Sequence, residues 1–167
     1  MKIEVKNVKF VEAFSEETFC FTASIWVDGK KVGEASNRGH GGSSELIFKD
    51  GYPSKSKIHK AIEEYCKTLP PMKSDMEVIT LHDGEEIDRS WSMEYDPEML
   101  IYELVSDEHT RQQNKKMCRG QTAFRIPNYE YENEYEYHTI KGKYTPKTKT
   151  KLILQYGLDV YILNEHV

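Results

Sequence analysis

The feature that most constrains the fold is the alternation of apolar and polar residues from Thr18 to Val27. The odd positions of this segment are all apolar: Phe19, Phe21, Ala23, Ile25 and Val27. Because successive side chains of a β-strand point to opposite faces of a sheet, this alternation predicts a strand with one buried face. The Asp28-Gly29 dipeptide that follows is typical of a two-residue hairpin turn, so an antiparallel partner is expected from Lys31 to Ser36.

Two further segments extend this predicted sheet. Ile3 and Val5 share one parity and Val8 and Phe10 the other, which predicts an N-terminal strand with a bulge near Lys6-Asn7. On the other side, the residues from Glu45 to Phe48 resume extended structure after a glycine-rich segment. That segment is therefore expected to lie at one end of a sheet.

The hydrophobic period becomes helical after Ser56. Apolar residues recur at helical spacing and predict an amphipathic helix that ends before Pro70-Pro71: Ile58, Ala61, Ile62, Tyr65, Cys66 and Leu69. Asp96-Pro97 supplies an N-cap and a first-turn proline for a second helix. Its continuation from Asp107 to Arg119 is polar, which leaves a solvated helix and a mobile segment as alternatives.

The C-terminal part has the sequence character of strands. Strands are predicted from Gln121 to Ile126 and from Val160 to Leu163, with a hairpin-like segment from Tyr129 to Lys141. Thr145-Pro146 and Gly157 would cap a short helix, although the composition of Thr148 to Tyr156 also permits a strand. The sequence thus predicts one α+β domain, with two to three helices on one face of a mostly antiparallel sheet. Its parts are a hairpin sheet at 1–50, a helical middle at 54–119 and a strand-rich end at 121–165.

Composition excludes several classes of protein. The 167-residue chain of 19.5 kDa has a formal net charge of -5 and a pI near 5.7, which argues against general nucleic-acid binding. Three widely spaced cysteines suit free thiols in a reducing compartment. The N-terminus lacks the apolar run of a signal peptide, and no stretch approaches the 18 apolar residues of a membrane span. A cytoplasmic protein is expected.

The candidate ligand site is the glycine-rich segment. It contains three glycines, an arginine, a histidine and two serines after an asparagine: Asn37, Arg38, Gly39, His40, Gly41, Gly42, Ser43 and Ser44. Glycines at positive φ can aim several amide groups at one anion, and the arginine guanidinium suits a phosphate or a carboxylate. An anionic small molecule or a nucleotide is the predicted ligand. The alternative is a purely structural connection in which Asn37 and the serines bond to nearby backbone.

No cofactor or metal site is expected, because the six histidines and three cysteines lack paired metal-ligand spacing. The sequence does not identify a catalytic residue either. Two catalytic alternatives stay open: His40 as an acid or base acting on a phosphorylated substrate, and Cys20 with His40 as a nucleophile and its base.

A second candidate surface is a stripe in which tyrosine and glutamate alternate. Its members are Tyr129, Glu130, Tyr131, Glu132, Glu134, Tyr135, Glu136 and Tyr137. Period two predicts a strand with carboxylates on one face and aromatic rings on the other, which suits a protein partner. The alternative is a solvent-facing row of glutamates over a tyrosine-lined core, with nearby lysines offsetting the charge.

The segment from Ser15 to Gly42 resembles a segment of small uncharacterised bacterial and bacteriophage proteins. The resemblance rests on Ser15-Glu16-Glu17-Thr18, Cys20-Phe21-Thr22-Ala23, Asp28-Gly29-Lys30-Lys31, Val32-Gly33, Ser36-Asn37 and Gly39-His40-Gly41-Gly42. It implies a small accessory protein of bacterial or phage origin and carries no activity. The sequence therefore predicts a non-catalytic binding or inhibitor protein; its oligomeric state stays open.

Overall fold

The computed structural model describes residues 1–73, 91–128 and 134–167, together with the backbone of Ile79–Thr80 and Glu86–Ile87. Its helices and antiparallel sheets form an α+β fold, as the sequence predicts. The contacts divide the chain into an N-terminal unit, Met1–Ser106, and a C-terminal unit, Asp107–Val167. The prediction of a single domain stays a prediction.

The N-terminal unit is built on a four-stranded antiparallel sheet. Its strands follow chain order: β1 (Ile3–Phe10), β2 (Cys20–Val27), β3 (Lys30–Arg38) and β4 (Glu45–Phe48). The predicted bulge is confirmed, since the β1–β2 register shifts between Lys6 and Lys9 and Asn7 has a φ of 54°. The bulge reverses the parity of β1, so Lys9 lies on the opposite sheet face from Val8 and Phe10.

Two helices share the core of this sheet. They are α1 (Lys57–Cys66) and the first half of α2 (Pro97–Met117), and the fully buried side chains include Phe21, Ile25, Ile62, Ile101 and Val105. Of the two alternatives for Asp107 to Arg119, the mobile segment is wrong, because α2 continues as a helix to Met117. Helix α1 ends earlier than its apolar pattern, since residues before Pro70 tighten into i→i+3 hydrogen bonds.

In the described parts of the segment between α1 and α2 lie four two-residue strands. β5 (Met72–Lys73) pairs with β8 (Ser92–Met93), and β6 (Ile79–Thr80) pairs with β7 (Glu86–Ile87). Segments this short have no measurable hydrophobic period, which is why sequence analysis does not predict them. No helix in the described part of the chain is long and apolar enough to cross a membrane.

The C-terminal unit has a three-stranded sheet in the order β10-β9-β11. The strands are β9 (Gln121–Pro127), β10 (Tyr135–Lys141) and β11 (Tyr161–Ile162), so the last strand is shorter than predicted. α3 (Pro146–Tyr156) confirms the helix alternative, with Thr145 as N-cap and Gly157 at a φ of 86°. A small core joins α3 to the sheet through Phe124, Leu152 and Ile162.

Candidate functional site

The glycine-rich loop between β3 and β4 is organised around the buried side chain of Asn37. Its Oδ1 accepts hydrogen bonds from the Gly39 amide at 2.8 Å and from the Thr18 hydroxyl at 2.9 Å. Its Nδ2 donates to the Gly42 carbonyl at 3.2 Å and to Ser44 Oγ at 3.4 Å. Both acceptor positions and both donors of this amide are therefore used, three of them by groups of the loop and one by Thr18, which precedes β2.

Other polar groups of the loop are also occupied. The Gly39 carbonyl accepts from the amides of Glu16 at 2.9 Å and Glu17 at 3.1 Å, and the Ser44 amide donates to Glu98 Oε1 at 2.6 Å. The Glu98 carboxylate thus occupies the position from which a bound anion would accept a hydrogen bond from the Ser44 amide. Of the eight predicted ligand residues, Asn37, Gly39 and Ser44 hold the loop together.

The glycines meet conformational needs of the loop. Gly39, Gly41 and Gly42 have φ values of 88°, 81° and 80°, a region that residues with a Cβ rarely adopt. At Gly39 a Cβ would also overlap the carbonyl oxygen of Phe14. Beside Gly41 lies the Glu17 carboxylate, so this side of the loop is acidic.

A cavity of about 540 Å³ opens on the other side of Arg38. Cys20 and Arg38 are cross-strand partners, and in the next row Lys9 pairs with Thr22 and Thr22 with Ser36. Alternation along the strands places these side chains on one sheet face, opposite the core. Val11, which follows β1, and Phe14, which ends the 3₁₀ turn Glu12–Phe14, add to the lining.

The cavity combines cationic and apolar groups. Val11 is 44% exposed and Phe14 59% exposed, so two apolar side chains face solvent beside charged ones. Lys9 and Arg38 form no ion pair with any described residue, and none of the described lining residues is acidic. A cavity lined by exposed apolar side chains and by two cations that no described residue pairs with is suited to a ligand that carries both an apolar part and a negative charge.

Arg38 and His40 also line a second cavity of about 300 Å³, together with Gly41, Ser43 and Glu45. His40 is exposed, and its Nδ1 lies 3.0 Å from Glu16 Oε2, which leaves Nε2 facing away from that contact. Cys20 and His40 line the 540 Å³ cavity together. An acid–base role for His40 and a nucleophilic role for Cys20 stay predictions. No group of three or more potential metal ligands occurs among the described side chains.

The tyrosine–glutamate stripe is only partly described, because Tyr129, Glu130, Tyr131 and Glu132 lie outside the described residues. In the described part, Tyr135 and Tyr137 of β10 are 46% and 50% exposed. They therefore do not form a core face. The guanidinium of Arg125 lies over the rings of Tyr135 and Tyr161, 4.2 Å and 4.5 Å from their centroids.

Of the residues that line the 540 Å³ cavity, the sequence analysis names Cys20, Asn37, Arg38 and His40 as candidates but not Lys9, Val11 or Phe14. Lys9, Val11 and Phe14 lie 24 to 29 positions before Arg38 in the chain and meet it only through the β1–β2–β3 pairing. Only the bulge at Lys6-Asn7 was a sequence signal, because it determines which face Lys9 occupies.

No protein-family model, no curated protein and no solved structure matches this chain. The resemblance of Ser15 to Gly42 to bacterial and phage proteins stays a prediction.

Proposed function

We propose that this protein is a small non-catalytic binding protein, an accessory or inhibitor protein of bacterial or phage origin. Its ligand is a small amphipathic anion, a molecule in which one phosphate or carboxylate group is attached to an apolar part. The observation that carries the proposal is that Arg38 and Lys9, which form no ion pair with the described residues, line one cavity together with the exposed Val11 and Phe14.

Different side chains of this site would contact the anionic group and the apolar part of the ligand. Arg38 offers a planar fork of donors that matches a phosphate or carboxylate in two-point contact, and Lys9 adds a second positive charge. Val11 and Phe14 would lose exposed apolar surface to the ligand, which favours binding. A ligand with only one of these two features would leave half of the cavity unused.

The test is calorimetric titration with an alkyl phosphate, compared with inorganic phosphate and with the corresponding alcohol. Arg38→Ala should weaken alkyl phosphate binding by about 1.5–3 kcal/mol, the scale of a hydrogen bond to a charged group. Phe14→Ser should weaken it through lost apolar contact. Lys30→Ala removes a lysine that lines none of the described cavities and serves as the charge control. Equal affinity of Arg38→Ala and the unmodified protein would refute the proposal.

A second candidate function is a protein interface on the face of β10 that carries Tyr135 and Tyr137. The arrangement that favours it is Arg125 held between Tyr135 and Tyr161, because tyrosine and arginine dominate the energetic centres of protein interfaces. Capture of a partner by the unmodified protein but not by Tyr135→Ala or Tyr137→Ala would support it. Capture that survives both changes would exclude this face.

A further inference from the structure

A separate cluster of lysines surrounds a cavity of about 280 Å³ in the C-terminal unit. Lys141 ends β10, Lys143 follows it in the next turn, and Lys151 lies in the middle of α3. The end of β10 with its turn and the helix α3 thus bring three lysines to the lining of one cavity. The sequence shows these lysines only as a basic run, without indicating that they share a site.

The charges of this cluster are uncompensated within the described structure. None of its described lining residues is acidic, and Lys141, Lys143 and Lys151 form no ion pair with any described residue. Lys149, the neighbour of the lining residue Thr148, shows the contrast because it pairs with Glu165 at 3.1 Å. Three like charges around one cavity raise its positive potential, and an anion placed there would lower their mutual repulsion.

The backbone around the cavity is held in place by contacts within the protein. The buried Thr122 hydroxyl donates to the Gly142 carbonyl at 3.2 Å and holds the turn between Lys141 and Lys143. Gly142 has a φ of 111°, which favours glycine at this turn. Leu152, 1% exposed, anchors α3 in the core beneath the lysines. Thr148 and Gln155 add neutral polar groups to the lining.

We propose that this cavity binds a small molecule carrying adjacent phosphate groups, with Lys141, Lys143 and Lys151 as its cationic contacts. A single carboxylate would compensate only one of the three charges, whereas a pyrophosphate group presents several negative oxygens together. Described lining residues include no aromatic ring, which disfavours a single-stranded nucleic acid, since such sites stack bases on aromatic side chains. The proposal concerns a different unit from the Arg38 site and does not depend on it.

The experiment is a titration of the full chain with inorganic pyrophosphate at low ionic strength, followed by calorimetry and amide chemical shifts. Each of Lys141→Gln, Lys143→Gln and Lys151→Gln should weaken binding about threefold to tenfold, between the scale of an exposed ion pair and that of a charged hydrogen bond. The triple variant should lose detectable binding, and added salt should weaken binding by the unmodified protein.

Lys147→Gln is the matched control, because Lys147 belongs to the same basic run but does not line the cavity. It should keep its affinity within about twofold, as expected for an exposed charge outside the site. Lys143→Arg retains the charge and should keep most of the affinity. Unchanged circular dichroism of each variant verifies the fold.

Three results would overturn the proposal. One is pyrophosphate binding by the triple variant with unaltered affinity. The next is a loss in Lys147→Gln equal to that of a cavity lysine, which would indicate diffuse attraction. The last is binding of a single-stranded oligonucleotide through the three lysines without any binding of pyrophosphate. Arg38→Ala should leave pyrophosphate binding unchanged, so this site and the Arg38 site fail or succeed separately.

Discussion

The Asn37 side chain accepts a hydrogen bond from the Gly39 amide at 2.8 Å, so the residue before Arg38 fixes the start of the glycine-rich loop. Arg38 itself points to the other sheet face and lines the cavity. Two adjacent residues thus have opposite tasks, one in holding the loop and one in contacting a ligand. Their substitutions separate stability from binding.

Asn37→Ala should lower the free energy of unfolding by about 1–3 kcal/mol, because it removes the partners of buried loop groups. Arg38→Ala should change it by at most about 0.5 kcal/mol, the range for an exposed surface residue. Urea denaturation of the two variants measures both values. Equal destabilisation by the two substitutions would contradict this division of roles.

A comparison of Gly39 with Gly42 separates the cost of a left-handed backbone conformation from the cost of a steric overlap. Both have φ near 80–90°, but only at Gly39 would a Cβ overlap another group, the Phe14 carbonyl oxygen. Gly42→Ala should cost about 1–2 kcal/mol for the left-handed conformation alone. Gly39→Ala should cost about 1–3 kcal/mol more, the scale of overpacking. Similar thermal midpoints for the two variants would show that the loop moves away from Phe14 without cost.

Ser56 caps α1 and is fully buried. Its hydroxyl oxygen accepts from the His59 amide at 2.9 Å, and the same hydroxyl donates to Asp50 Oδ1 at 2.5 Å. Ser56→Ala should therefore lower the free energy of unfolding by about 1–2 kcal/mol, toward the upper part of the range for a lost N-cap. Ser56→Thr keeps the hydroxyl and should lose less. Denaturant midpoints of the two variants give the comparison.

The carboxylate of Asp50, which accepts a hydrogen bond from Ser56, should make the stability of the folded protein depend on pH. The hydrogen bond from Ser56, followed by those from the Ile58 and Lys57 amides, holds the pKa of the Asp50 carboxyl below its ordinary value of 3.8. A lowered pKa in the folded state means that the stabilisation is complete above pH 3.8 and is lost as pH falls through the folded value. Asp50→Asn should therefore be less stable than the unmodified protein near neutrality, with the difference shrinking in acid. A pH-independent difference would exclude the ionised carboxylate as the cause.

How far the sequence predicts the fold depends on how regular each segment is. Alternation in β2 and helical spacing in α1 predict both elements, because a buried face repeats over several residues. The tightened end of α1 and the two-residue strands β5 to β8 depend on single hydrogen bonds and tertiary pairing. A periodic pattern cannot contain that information.

The candidate sites show the same limit. Arg38 and His40 are visible in the sequence because they lie inside an unusual glycine-rich segment. Val11 and Phe14 join them through strand register, which brings distant parts of the chain into one lining. The ligand role of Ser44 stays a prediction, and its amide donates to Glu98, a residue 54 positions later. The sequence could not show that a carboxylate of the same chain accepts the hydrogen bond from this amide.

The pair formed by Tyr144 and Glu165 gives a titration that can be assigned to one residue. The Tyr144 hydroxyl donates to Glu165 Oε1, and this hydrogen bond, with partial burial, raises the pKa of Tyr144 from 10.0 to about 12. A raised tyrosine pKa means that its contribution to stability is complete below pH 10 and is lost as pH rises toward 12.

Ultraviolet absorbance should therefore show a tyrosine that ionises near pH 12 and is absent in Tyr144→Phe. In Glu165→Gln the same transition should shift toward pH 10, because the negative partner that opposes ionisation is gone. Tyr161→Phe is the control, since its ring lies against Arg125 and His166 and the substitution leaves the Tyr144–Glu165 hydrogen bond in place. A late transition that persists in Tyr144→Phe would assign it to another tyrosine and contradict the prediction.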